Sequence, residues 1–209
     1  MRLEIKIVYI DDNIDEILSR YISQVYCATQ YIDINNNCRI SKTFEEVEFN
    51  GEQGYEGLLN NPQILSANVI LVDNHLFEER LQGQSRFSGK QFKIMLRKLL
   101  PFVEVLIITQ DEQLESDTII LKYSNRHSDD SDMYYQNKLG KALDTAIREV
   151  LIYELLANDL RKSPDVEKAL IDKILQSLQG NGAYNELTKA DVDELITSFK
   201  ELKEKYEHQ

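Results

Sequence analysis

What this 209-residue sequence has little of narrows its class first. It holds two cysteines, Cys27 and Cys38, which excludes a disulfide-stapled secreted scaffold and points to a reducing, cytoplasmic compartment. The N-terminus offers one arginine and then a strand-like run, not the pattern of a signal peptide. No stretch approaches the roughly 20 apolar residues of a membrane span, so no membrane association is expected. Glycine and proline are sparse, at eight and three, and there are no internal repeats or low-complexity segments. Positive charge is also short: 24 Lys and Arg against 36 Asp and Glu leave a net charge of −12. Such a surface is repelled by phosphate backbones. Residues 160–209 carry a net −2 and show no basic recognition stripe, so DNA binding is not expected.

What is present fits a globular protein with a substantial core. The hydrophobic fraction is 42%, and the length suits one domain with an extension. Residues 5–10 are apolar apart from Lys6, as expected of a strand covered on both faces. Ile14, Ile17, Leu18, Tyr21, Ile22 and Val25 then recur at helical spacing. "CRISKTF" (38–44) reads as a second strand, 52–64 as a short helix, and "ANVILVDN" (67–74) as a buried third strand. A helix over 88–100 is stopped by Pro101, and strands follow at 103–110 and 117–124. The polar segment 125–133, with its "DDSD", reads as a solvated loop. A long helix over 134–160 carries two apolar stripes, one through Leu139, Leu143, Ala146, Val150 and Tyr153, the other through Ile147, Leu151 and Leu155. Two stripes imply two contacts, one with the sheet and the other with a partner chain, such as a second copy, or with the C-terminal helices. Segments 163–182 and 188–206 each begin with a capping residue and form a candidate helical hairpin. The expected division is 1–160 and 161–209.

Strand–helix alternation with short links means a parallel sheet with right-handed crossovers, whose functional crevice lies beyond the carboxyl ends of the strands. There the sequence places Asp11 and Asp12 after the first strand, Asp73 after the third, Thr109 after the fourth and Lys122 near the end of the fifth. Read singly, the aspartates could be turn or helix-cap residues. Read together, three carboxylates cannot all stay ionised side by side without a cation. An oxygen-rich cluster of this kind suits Mg²⁺.

The segments "IVYIDDN", "NVILVDN", "SGKQF…LRKLL", "VLIITQ" and "IILKYS" together resemble the receiver domain of bacterial two-component response regulators. The match covers about residues 3–158. The resemblance implies an α/β fold with a doubly wound, five-stranded parallel sheet, flavodoxin-like, in the order 2-1-3-4-5. It implies Asp73 as phospho-acceptor. Asp11, Asp12, Asp73 and the backbone carbonyl of His75 would hold Mg²⁺, with Thr109 and Lys122 contacting the phosphoryl group. It further implies a histidine kinase or phosphotransfer protein as donor. The sequence departs from the family in four places: a longer, proline-free segment 74–87; only 13 residues from Thr109 to Lys122, too few for the usual helix; Tyr123 in place of proline after Lys122; and Ile119 where the family often has an aromatic.

Three functions are compatible with these residues. The first is a phosphorylatable receiver signalling to a protein partner through its C-terminal helices, with a possible homodimer through the 134–160 helix. The second is a pseudo-receiver, an interaction module working without phosphorylation. The third, remote, is a Mg²⁺-dependent phosphohydrolase, which lacks an acid/base histidine at a suitable strand end.

Overall fold

The computed structural model describes residues 2–29, 31–33, 38–50, 54–76, 88–114, 119–124 and 130–162, together with residue 172. Most of the expected C-terminal hairpin, most of the 74–87 segment and residues 125–129 of the polar segment lie outside them.

Strand β1 (Arg2–Asp11) is the centre of the fold. From Ile7 to Asp11 every residue is buried, because both faces of the strand are covered. It leads into α1 (Glu16–Arg20), whose N-cap Asp15 accepts hydrogen bonds from the amides of Ile17 and Leu18. The expected first helix then continues as a wider π-type turn over Tyr21–Tyr26. β2 (Tyr31–Asp33) is a short strand not foreseen in the sequence. β3 (Cys38–Glu48) is longer than expected. The helix expected over 52–64 is two pieces, α2 (Gly54–Leu59) and α3 (Pro62–Leu65), because Asn61 caps a new start and Pro62 takes the first helical position.

β4 (Val69–Asp73) is buried throughout. α4 (Gly89–Leu99) begins at Ser88, which forms a reciprocal capping box with Gln91. β5 (Glu104–Thr109) and β6 (Ile119–Leu121) complete the sheet. Between them the described residues hold a single 3₁₀ turn, Glu112–Leu114, in place of a helix. The long helix starts earlier than expected, as α5 (Ser131–Tyr135), passes through a π-type turn (Gln136–Gly140) and continues as α6 (Lys141–Lys162).

The sheet order is β2-β3-β1-β4-β5-β6. All pairs are parallel except β2 with β3. The five parallel strands thus run 2-1-3-4-5, the flavodoxin-like order of a doubly wound sheet, with β2 added antiparallel at one edge. Registers align the strand ends: Ile10 lies opposite Val72, Asp73 opposite Ile108, and Thr109 opposite Leu121. One apolar layer gathers Val8, Ile10, Val72, Phe92, Leu96 and Ile107. The π-type turn after α1 meets α5 and its continuation through aromatic contacts, Tyr21 on Tyr135 at 5.5 Å between ring centres, and through the Tyr21 hydroxyl donating to Gln136 at 3.1 Å. By its contacts the chain divides into residues 1–150 and 151–209.

Candidate metal and phosphoryl site at the strand ends

The parallel register brings the tips of β1 and β4 together, and β1 is where the strand order reverses direction. Asp11, Asp12 and Asp73 each offer a carboxylate oxygen there, all within 4.8 Å of one another. Asp11 and Asp73 are buried; Asp12 is half-buried. The Lys122 ammonium bridges the two buried carboxylates, 2.7 Å from Asp11 Oδ2 and 2.8 Å from Asp73 Oδ1. Three carboxylates against one ammonium leave two negative charges in a largely desolvated pocket. A divalent cation balances that residue of charge, and hard carboxylate oxygens are the donors Mg²⁺ takes. On both counts the side chains fit the ion.

Each group is fixed by its neighbours. Asp73 Oδ2 accepts the His75 amide at 2.6 Å. Asp11 Oδ1 accepts the Asn13 amide at 3.2 Å, and its Oδ2 also accepts the buried Tyr9 hydroxyl. Thr109 is fully buried; its Oγ1 accepts the Asp111 amide at 3.1 Å and its carbonyl accepts the Lys122 amide at 2.7 Å. β6 stops at Leu121, so Lys122 stands one residue past the strand. The helix-starting Gly89 sits against the Asp73 carbonyl: a Cβ there would lie 2.3 Å from that oxygen.

The electrostatics follow from burial and repulsion. The Asp12 carboxyl is pushed up to about 6, by desolvation first, then by the hydrogen bond and charge of Asp11 and the charge of Asp73. Burial also raises Asp73, with Lys122 opposing it. For Lys122 burial alone would lower the value, but Asp73 and Asp11 outweigh it and the net shift is upward. Burial foremost, and then Asp11, raise Tyr9, which stays a neutral donor.

All the side chains singled out in the sequence, Asp11, Asp12, Asp73, Thr109 and Lys122, thus lie at this one edge, and the His75 amide touches Asp73. Sequence reasoning missed Tyr9. Its signal was a phenol in an aliphatic strand, two residues before Asp11 and hence on the same face, where a buried hydroxyl needs a partner. It also missed the tyrosines of α5 that reach the backbone around Lys122.

Among solved structures, the fold is similar to a two component transcriptional regulator AraC from Clostridium phytofermentans, at 18% identity over 73% of this chain and 98% of that one, with a TM-score of 0.42. It is also similar to RcsB from Salmonella enterica serovar Typhimurium bound to promoter rprA, at 15% identity over 75% of this chain and 68% of that one, with a TM-score of 0.40. No family model and no curated protein matches the chain. Likenesses this remote carry no argument about activity. Fold and site on their own define a doubly wound α/β protein with three carboxylates and a lysine gathered at its topological switch point.

Proposed function

We propose that the chain is a phosphorylatable receiver of a two-component phosphorelay, accepting a phosphoryl group on Asp73. The observation that carries the reading is the pairing of Lys122 with both Asp11 and Asp73 beside a third carboxylate, at the ends of adjacent parallel strands. Asp11, Asp12, Asp73 and the backbone carbonyl of His75 would hold Mg²⁺. Bound there, the ion supplies positive charge for the oxygens of the transferring group.

The chain's own residues do the rest. An Asp73 carboxylate oxygen attacks phosphorus in line. With a phosphohistidine donor, the phosphorus–nitrogen bond breaks as the phosphorus–oxygen bond forms. The electron pair leaves on the imidazole, which takes a proton from solvent. The His75 amide orients the acceptor carboxylate through its Oδ2. Lys122, already paired to Asp73, passes its charge to a phosphoryl oxygen. Thr109 accepts from Asp111 and so keeps its own hydroxyl proton to donate to the phosphoryl group.

Its donor would be a histidine kinase or phosphotransfer protein in the cytoplasm. Its output would be a protein partner reached through residues 161–209, as an extension to a 1–160 receiver domain, with a homodimer through the 134–160 helix. The test is incubation with acetyl phosphate and Mg²⁺, read by intact mass. A gain of one phosphoryl group, abolished by Asp73→Asn, is expected; no gain from any donor rejects the reading. A pseudo-receiver is the second reading, favoured by the single 3₁₀ turn between β5 and β6 among the described residues. In that case partner binding survives Asp73→Ala unchanged.

A further inference from the structure

Lys122 makes both ion pairs that organise the site, yet it lies outside any regular element, one residue beyond a three-residue strand. Its own amide is tied to the Thr109 carbonyl. The peptide groups on either side of it are held from elsewhere. The Tyr134 hydroxyl donates to the Leu121 carbonyl at 3.2 Å, and the Tyr135 hydroxyl accepts the Tyr123 amide at 2.9 Å. These are consecutive residues of α5, both buried, and their rings lie edge to face at 5.5 Å. Tyr134 also packs edge-on against Tyr123 at 5.6 Å.

We propose that Tyr134 and Tyr135 form a clamp whose task is to position Lys122 for its contacts with Asp11, Asp73 and an incoming phosphoryl group. The last of these roles rests on the receiver reading above; the clamp on the ammonium does not. The chemistry explains why tyrosine stands at both positions. A carbonyl needs a donor and an amide needs an acceptor, and a phenol hydroxyl supplies either. Phenylalanine would fill the same space and satisfy neither. Deprived of these bonds, the buried Leu121 carbonyl and the half-buried Tyr123 amide would favour a displaced loop that reaches water. Such a displacement draws Lys122 out of reach of both carboxylates, since the two clamped groups belong to its flanking peptides. The two phenols bond backbone groups rather than the carboxylates, so they are positioning residues acting through the lysine.

The test is competitive labelling of the full chain with N-hydroxysuccinimidyl acetate, read lysine by lysine by peptide mass spectrometry. In the wild type, Lys122 acetylates far more slowly than the exposed Lys162, because it is buried and doubly paired. In Tyr135→Phe, and separately in Tyr134→Phe, Lys122 labelling should rise about tenfold, in line with one lost buried hydrogen bond. The half-buried Lys42, which donates to Thr29, serves as the control and should label at its wild-type rate. A rise shared equally by Lys42 means that the fold has merely loosened, and this overturns the clamp. So does unchanged Lys122 labelling in both variants. The second variant covers the case in which the first fails to fold. Phosphorylation by acetyl phosphate gives a separate reading. The rate should fall about tenfold in Tyr135→Phe, and the same substitution should change nothing further in a Lys122→Ala background. Additive losses there would argue against action through the lysine. If the wild type takes no phosphoryl group at all, the receiver reading falls, and the labelling pattern still decides the clamp.

Discussion

Asp12 is the half-buried member of the carboxylate cluster. Its carboxyl titrates near 6 when folded against an ordinary value of 3.8. A carboxyl raised on folding stabilises the protein while protonated, and this contribution is lost as pH rises from about 4 through 6. Without Mg²⁺, the wild type should therefore lose melting temperature over that window relative to Asp12→Asn. At pH 7 the variant should be the more stable by roughly 1 kcal/mol, after allowing for solvent screening of a half-buried group. Adding Mg²⁺ should reverse the order, because the ion stabilises the wild type and finds one ligand fewer in the variant. Thermal melts at pH 4–7, with and without the ion, check both signs. Cys27 offers a second residue-scale outcome. Burial raises its thiol, only partly opposed by Lys42. Its reaction with a disulfide reagent should still be accelerating with pH at about pH 9, where an ordinary thiol is levelling off.

The acidic residues were legible in the sequence because an apolar β-branched run seldom ends in adjacent charges unless something at its tip compensates them. Tyr9, Tyr134 and Tyr135 were not legible as functional. Tyr9 bonds Asp11 within β1 and shows only as a phenol in an aliphatic strand, whereas the bonds of Tyr134 and Tyr135, across 13 and 12 residues, close only once β6 and α5 are in place. No local propensity encodes such a partner.

At the scale of elements, the strands that position the site were readable and the connections less so. The second half of β1 (7–10), β4 and β5 announce themselves as apolar runs. β2 has three residues, too few for a periodic signal. The start of α5 falls earlier than the sequence suggests because "DDSD" has the composition of a solvated loop. Asp130 instead caps the helix, and Asp132 pairs with Arg20 of α1, whose Nη1 lies 3.1 Å from Asp132 Oδ2. An aspartate ahead of an apolar-periodic run is the cap signal that points to the true start. The π-type turns at 21–26 and 136–140 left no mark in the residue pattern. The element-scale prediction concerns α4. Gly89 gives the helix its close approach to the β4 carbonyl, and an added methyl cannot fit 2.3 Å from that oxygen. Gly89→Ala should destabilise the protein by about 2–4 kcal/mol in urea titrations, since backbone must move. It should also weaken Mg²⁺ binding, because the displaced residue is Asp73. Loss of stability with unchanged affinity would show that α4 and the carboxylate are independent.

Over the whole molecule, strand–helix alternation with short links is enough to foresee a parallel arrangement before any contact is known, whereas the order of the five parallel strands was implied by the resemblance to receivers. The antiparallel addition of β2 could not be foreseen, because nothing in the alternation demands it. Net charge is the other whole-molecule property. At −12 the chain should fail to retard duplex DNA in a gel-shift assay at physiological salt. Retardation that weakens as salt is raised would mean that a local basic patch overrides the total.

β2 pairs with β3 only at Cys38, Arg39 and Ile40. Among the described residues, no strand covers the outer side of β3 from Ser41 to Glu48. The backbone groups along such a bare margin would ordinarily invite another chain to zip on. The side chains there include Lys42, Glu45, Glu46 and Glu48. A second copy docking at that margin would crowd like charges and strip water from them. The same acidity that leaves room for a cation at the strand tips therefore also guards the flank of the sheet against fibre growth.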